Sequence, residues 1–318
     1  MASSEALPSA ATTVRPAHWW QSNLKRRRIV SFYLFLLPWM IGFVVFTAGP
    51  MLVSAGLAFT RYDILSPPQW VGLENFERMF FDDPLFWVSL RVTAVYTFVV
   101  VPLNTTIAYC LALLLNRNVF ALSFWRTAYY VPYIVPTVAA SYLFWWLFNK
   151  DFGAINGLLW SLFRLDGPSW LGTEEWVLPA FIIMSAWGAG GGIILFLAAM
   201  QQVPTDLYDS AKVDGANALQ RLRNVTIPMT SFVIFFTFVT GLIYTFQIFS
   251  AGYILTQGGP NNGSLFYVLY LYRVGWSYLE MGRAAVLAWF LFLLILGLTV
   301  LVVRSADRLV YYAGDDSR

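Results

Sequence analysis

Between Pro204 and Pro228 the chain gathers its densest run of residues able to do chemistry. The segment reads Pro204-Thr205-Asp206-Leu207-Tyr208-Asp209-Ser210-Ala211-Lys212-Val213-Asp214-Gly215-Ala216, then passes through Leu219, Leu222, Val225 and Ile227 to Pro228. Thr205 or Asp206 can cap a helix just after Pro204, and acidic side chains suit its first turn. Leu207 and Ala211 share a face at i, i+4 spacing, Gly215 breaks the helix, and Leu219 and Leu222 form a second apolar stripe. Pro228 is placed to open the next long helix. The expected product is a knob of two short amphipathic helices around a glycine elbow. Its chemistry is that of contact rather than bond-making: it can rest on lipid headgroups or grip another protein.

Catalytic chemistry finds little to work with elsewhere. The one histidine, His18, lies in a polar stretch, and the one cysteine, Cys110, lies in an apolar one. No disulfide or cysteine-based metal site can form within a single chain. There is no G-x-x-x-x-G-K-[ST] phosphate loop, because none of the three lysines, Lys25, Lys150 and Lys212, follows a glycine.

The elements that must carry the knob are written in the composition. Of 318 residues 58% are hydrophobic and 12% charged, with a mean hydropathy of +0.62. A soluble domain carries about 25% charged residues, so most of this chain must face lipid or buried protein. A spanning helix needs about 20 apolar residues. Six charge-free segments meet that length: 29–59, 92–115, 127–148, 176–200, 225–255 and 284–303. The first and fifth are long enough to tilt or project, and Pro38 and Pro50 suggest bends in the first. The spans hold no Asp, Glu, Lys, Arg or His, which removes the usual proton relay. Arg91 and Arg283 stand only at outer ends, where snorkelling explains them as well as ligand contact does.

Orientation follows from charge. With the N-terminus inside, thirteen of the 20 Lys and Arg fall on the inner side, in agreement with the positive-inside rule. Lys25-Arg26-Arg27-Arg28 abuts an apolar run and reads as a cytoplasmic topology anchor rather than a nucleic-acid patch; no nucleic acid partner is expected. The run also looks like the start of a secretory signal, but signal cores stop at about 7–15 residues and this one continues to Phe59. Three parts are expected: a disordered basic tail over residues 1–28, a six-span domain over 29–303 with the cytoplasmic loop 201–226, and a cytoplasmic tail over 304–318. The outer loops 61–86, 149–175 and 256–283 are too long for simple turns. Leu73-Glu74-Asn75-Phe76 and Ile155-Asn156-Gly157-Leu158-Leu159-Trp160 within them read as short helices. Their aromatic residues form either an interfacial belt or a docking surface for an external protein.

The knob resembles the signature loop of binding-protein-dependent importer permeases: Glu-Ala-Ala, three residues, Gly, nine residues, Ile, one residue, Leu-Pro. Asp209-Ser210-Ala211, Gly215, Val225 and Ile227-Pro228 fall at every position with conservative changes. Val131-Pro132-Tyr133-Ile134-Val135-Pro136, Phe152-Gly153-Ala154-Ile155-Asn156 and Leu255-Thr256-Gln257-Gly258-Gly259-Pro260 are similar to the carbohydrate branch of that family, the maltose and glycerol-phosphate type. The likeness covers nearly the whole chain beyond the tail.

That resemblance implies an all-α fold of six spans in the type I ABC importer architecture, with both termini cytoplasmic in the bacterial inner membrane. It implies that Asp209, Ser210, Ala211, Gly215 and Pro228 belong to a coupling helix seated in a groove of a cytoplasmic ATPase. Asp209 stands where the family has Glu, one methylene longer. ATP and Mg would be bound by two partner ATPase subunits, and this chain would bind no cofactor and no metal. A second homologous permease subunit and an extracytoplasmic sugar-binding protein would complete the assembly within membrane lipid. By position in the family, the substrate path falls to Tyr133 and Thr137 in the third span and to Ser185 and Gly188 in the fourth. Gly241, Tyr244, Thr245 and Gln247 follow in the fifth. The pairs Tyr133/Thr137 and Gly241/Thr245 are i, i+4 neighbours and should share helix faces. Small and hydroxyl residues also serve simple helix packing in membranes, so that role stays open for each. The run Gly188-Ala189-Gly190-Gly191-Gly192 departs from the family, being one residue shorter between Trp187 and Pro204.

The function implied is a permease subunit of an ATP-driven, binding-protein-dependent sugar importer rather than an enzyme. A polyol, glycerol phosphate or another non-sugar solute is the alternative cargo. A membrane-embedded glycosyltransferase would need a carboxylate or histidine cluster at a membrane face, and a secondary transporter would need charges in its spans. The sequence offers neither.

Overall fold

The computed structural model describes residues 18–117 and 120–306, with side-chain surroundings described from residue 26 onward. Over these residues the regular structure is helical apart from one short antiparallel pair, Thr60–Arg61 against Gln69–Trp70. Four helices are long and apolar enough to cross a membrane: Arg26–Leu57, Pro84–Leu115, Ala218–Phe246 and Met281–Arg304. Glu174–Trp187 and Gly191–Gln201, bent by 45° at their junction, make a fifth if the pair is one span. The predicted segment 127–148 does not form one helix. Pro136 lacks the N–H that would continue it and pushes Val135 to extended backbone (φ −63°, ψ 126°), so the helices Leu122–Ile134 and Thr137–Leu147 are separate.

The chain separates into two compact units, Met1–Gly56 and Leu57–Arg318. In the first, the helix His18–Phe43 begins inside the expected disordered tail 1–28, so residues 18–28 are helical. Gln, Leu, Lys and Arg are good helix formers, and a helix already nucleated in the apolar run extends through them. The rest of that tail, residues 1–17, and all but the start of the C-terminal tail lie outside the described residues. Pro50 shapes the end of this helix. Its ring would collide with the carbonyl four residues back, and the turn Val44–Ala48 just before it widens to π geometry, with Gly49 N–H donating to the Val44 carbonyl.

In the second unit the Pro84–Leu115 helix is the axis. It starts eight residues before the predicted Val92 because Asp83 caps it, accepting from the Leu85 and Phe86 N–H groups at 3.1 and 3.2 Å. The helices Ile227–Phe246, Gly191–Gln201, Glu174–Trp187 and Tyr267–Tyr272 all pack along it. The fifth predicted segment, 225–255, ends early: the helix stops at Phe246 and Ser250–Leu255 is a separate short helix. The core is aromatic. Phe86, Phe181, Phe246, Phe266 and Tyr267 are fully buried together with Leu265, Leu269 and Leu287. Part of the expected outer loop 256–283 therefore lies inside the core. Thr93 Oγ1 accepts from the Tyr267 N–H at 2.7 Å, and the Tyr267 hydroxyl donates to the Leu287 carbonyl at 2.9 Å, tying three elements at one point.

Two short helices appear as predicted in the loops, Glu74–Glu77 and Ala154–Phe163. Asn156 holds the second in place: its Nδ2 donates to the Lys150 and Pro168 carbonyls and its Oδ1 accepts from Trp170 Nε1 at 2.7 Å. Leu158, Trp160, Leu162 and Phe163 on the same helix are exposed.

Candidate functional site

The Pro84–Leu115 helix lines two cavities along its length. One, of about 440 Å3, is walled by Tyr96, Val100, Asn104, Tyr133, Thr137, Phe181, Ser185, Trp187, Gly188, Tyr244, Thr245 and Phe249, among others. The other, of about 350 Å3, lies nearer the Leu115 end and is walled by Val101, Asn104, Thr105, Ala108, Tyr133, Gly188, Gly191, Thr237, Gly241, Tyr244 and Thr245. Tyr96 and Ala108 stand twelve residues apart, about 18 Å along a helix, which is the extent of the combined walls. Among the described residues no Asp, Glu, Lys, Arg or His lines either cavity.

Seven of the eight residues named for the path by resemblance border these cavities: Tyr133, Thr137, Ser185, Gly188, Gly241, Tyr244 and Thr245. Gln247 does not. It follows the end of its helix, donates back to the Ile243 carbonyl at 2.9 Å, and borders a separate apolar cavity with Leu291, Ile295 and Thr299. Tyr133 and Thr137 meet through a broken helix rather than through i, i+4 stacking, because the chain turns at Val135-Pro136 between them. Gly241 and Thr245 keep their shared face on the Ile227–Phe246 helix.

The glycine run has a steric task. A Cβ on Gly190 would sit 2.1 Å from the Tyr129 carbonyl oxygen, and one on Gly191 would sit 2.4 Å from the Tyr133 ring. These glycines let the bent pair approach the Leu122–Ile134 helix and seat Tyr133. Gly188 carries no such demand, since its Cβ would meet only the Ser185 carbonyl at 3.5 Å.

Sequence reasoning missed two polar atoms, one on the Pro84–Leu115 helix and one on the Ile227–Phe246 helix. Asn104 Oδ1 and Thr237 Oγ1 are buried in the cavity walls without a hydrogen-bond partner. Leaving such a group unmet costs about 1–3 kcal/mol. The signal was an amide in an otherwise apolar run, Val99-Val100-Val101-Pro102-Leu103-Asn104.

Near the Leu115 end of the Pro84–Leu115 helix the knob forms as two helices, Thr205–Val213 and Ala218–Arg221. Neither Thr205 nor Asp206 caps the first; Pro204 occupies that position, and no side chain accepts there. Its end is a Schellman turn: Gly215 takes φ +78°, with Ala216 N–H donating to Ala211 O and Gly215 N–H to Lys212 O at 2.8 and 3.0 Å. Asn217 and Gln220 form a capping box that starts the second helix. That helix runs on through a widened turn at Leu222–Thr226 into Ile227–Phe246, so Pro228 does not open the long helix but sits inside a continuous one, Ala218–Phe246. The widening has the same cause as at Pro50. Asp209 is exposed and pairs with Lys212 at 2.8 Å; Ser210, Val213 and Leu219 are exposed beside it. The Tyr208 hydroxyl and Thr226 Oγ1, 3.0 Å apart, fasten the knob to the long helix.

A second charged cluster lies at the far end of the Pro84–Leu115 helix. Arg283, for which snorkelling and ligand contact were both open, is largely buried and reaches Asp83 Oδ2 at 2.9 Å while also pairing with Glu280. Arg78 approaches Glu280 at 3.3 Å. The Tyr270 hydroxyl donates to the same Asp83 oxygen. Burial pushes the Tyr270 phenol well above its ordinary range, and the Asp83 carboxylate adds to the shift, so the phenol stays a donor.

The family model for the binding-protein-dependent transport system inner membrane component matches residues 104–311. The probable ABC transporter permease protein YesP of Bacillus subtilis is 34% identical over 295 residues, 92% of this chain and 95% of that protein. The lactose transport system permease protein LacF of Rhizobium radiobacter is 33% identical over 293 residues, 90% of this chain and 97% of that protein. A solved bacterial ABC transporter, involved in import of the acidic polysaccharide alginate, contains a chain that superposes with a TM-score of 0.77 at 25% identity, over 91% of this chain and 98% of that one. Apolar spans, an exposed elbowed knob and a match over most of the length agree: this chain belongs to the inner membrane components of binding-protein-dependent transport systems, as a transport subunit and not an enzyme.

Proposed function

We propose that this chain forms one half of the translocation path of an importer for neutral, hydroxyl-rich sugars. The observation that carries the reading is the uncharged lining of the two joined cavities, which offers Tyr, Thr, Ser and Asn beside aromatic rings. Hydroxyl and amide groups match sugar hydroxyls as both donors and acceptors, and Tyr or Trp faces cover apolar ring surfaces. Tyr133 and Tyr244 are 58% and 77% exposed, so the wall is unfinished on their side, which supports a second homologous permease there. The six-span count requires the broken pair Leu122–Ile134 and Thr137–Leu147 to cross the membrane as one unit, with both termini cytoplasmic as the Lys and Arg bias suggests.

The knob of Asp209, Ser210, Ala211, Gly215 and Pro228 is the coupling element, seated in a groove of one of the two cytoplasmic ATPase subunits. ATP and Mg are held on those subunits. An extracytoplasmic sugar-binding protein delivers the solute. Competition uptake in cells making the complete transporter tests the cargo: neutral di- and trisaccharides should compete, and efficient import of an anionic or phosphorylated solute with neutral sugars ignored would overturn it.

A further inference from the structure

Asn104 is the polar residue of a stripe. Tyr96, Val100, Asn104 and Ala108 follow one another at i, i+4 spacing on the Pro84–Leu115 helix, and all four border the cavities. Asn104 borders both, so it stands where they join, opposite Tyr133, Tyr244 and Thr245. Its amide is poorly held. Nδ2 reaches the Ser185 carbonyl only at 3.4 Å, at the long limit of a hydrogen bond, and Oδ1 has no partner although it is buried. Asparagine is a weak helix former, and in an apolar span an amide that served packing would have both of its ends satisfied.

We infer that Asn104 is a specificity-determining residue of the path, its amide oxygen accepting a hydroxyl of the passing solute at the junction of the two cavities. Rotation about its side-chain torsions turns Oδ1 from the wall to the cavity. The chemistry discriminates. A sugar hydroxyl can donate to a carbonyl oxygen, whereas a carboxylate or phosphate oxygen only accepts and would face a second acceptor. With its oxygen presented to the cavity, Asn104 favours a hydroxyl donor over an anionic oxygen at this one position. The inference rests on the reading of the cavities as a sugar path and adds a residue from the second span to it.

The test uses the complete transporter in proteoliposomes with its binding protein, and a panel of maltose, maltotriose, lactose and raffinose as probes. Uptake and ATP hydrolysis are measured together for the wild type, Asn104→Leu and Asn104→Gln. Leucine fills the same space without hydrogen bonding. Asn104→Leu should lower sugar moved per ATP hydrolysed by about tenfold while the melting temperature stays near that of the wild type, because within the chain it gives up only the long contact from Nδ2 to the Ser185 carbonyl. Asn104→Gln, which keeps the amide, should recover part of the loss. Wild-type uptake per ATP by Asn104→Leu would overturn the inference while leaving the sugar reading standing. A joint collapse of ATPase and melting temperature would also overturn it, since that marks a packing residue. No uptake of any panel sugar by the wild type would overturn the sugar reading, and this inference with it.

Discussion

Arg283 lies 2.9 Å from Asp83 although the two stand 200 residues apart in the chain, and together they close the last long helix onto the first turn of the Pro84–Leu115 helix. Asp83 does two jobs at once. One carboxylate oxygen caps its helix, and the other accepts from Arg283 and Tyr270. Losing it removes the cap and a buried ion-pair partner together, while Glu280 still holds Arg283. Asp83→Ala should cost about 3 kcal/mol of stability, the lower end of what a broken buried pair costs. Denaturant unfolding of the detergent-purified chain measures it, and a change below 1 kcal/mol would contradict the account.

The glycine run gives a contrast within three residues. Gly190→Ala forces a Cβ against backbone, the Tyr129 carbonyl, and should destabilise by about 1–3 kcal/mol. Gly188→Ala meets nothing closer than 3.5 Å and should stay within about 0.5 kcal/mol of wild type. Equal effects at the two positions would show that the bend, and not the close approach, requires glycine.

At the knob, stability and transport should part company. The Asp209–Lys212 pair is exposed, so it adds little to stability. Gly215 holds a left-handed conformation that proline cannot adopt. Asp209→Ala combined with Gly215→Pro should abolish uptake and cross-linking to the ATPase while membrane insertion continues. Normal uptake by the double variant would remove the knob from coupling.

Nucleotide binding separates the chain from its partners. With no phosphate loop in the sequence, the purified chain should take up no photoreactive ATP analogue above background. Labelling at the level of a true ATPase would overturn the division of labour.

The path residues differ in what they should do. Thr245→Val removes a hydroxyl from the cavity wall and should lower uptake of the preferred sugar by about two- to tenfold, the effect of one hydrogen bond. Gln247→Leu, in the separate apolar cavity, should leave it unchanged. Initial rates of radiolabelled uptake distinguish the two, and a larger loss at Gln247 would reverse the assignment.

What could be read in advance depended on the range of the interaction. Hydropathy and charge mark membrane segments locally, so the long helices were visible, and the spacing from Asp209 to Pro228 carried the family likeness. The break at Val135-Pro136 was hidden because an apolar count does not register a lost N–H. Treating Tyr133 and Thr137 as helix neighbours failed for that reason. Pro228 was read as a helix start because proline favours the first turn, but a widened turn admits it into a continuous helix instead. Arg283 was read from its position at a span end. Its partner Asp83 lies on a distant element, and no local pattern reports such a meeting. The unmet Asn104 oxygen is likewise a property of the packed helices, not of the residue.

The knob and the cavity wall belong to a single rod. The helix Ala218–Phe246 is 29 residues long, with Leu219 at the exposed end and Tyr244 and Thr245 at the cavity. Tyr244 lies eighteen residues beyond Thr226, the end of the widened turn at Leu222–Thr226, about 27 Å along the axis. Measured from that turn, the rod is long on the cavity side and short on the knob side. A tilt of roughly 10° about that turn sweeps Tyr244 through about 5 Å, a distance comparable to the width of a sugar ring, while the base of the knob moves by only about 1 Å.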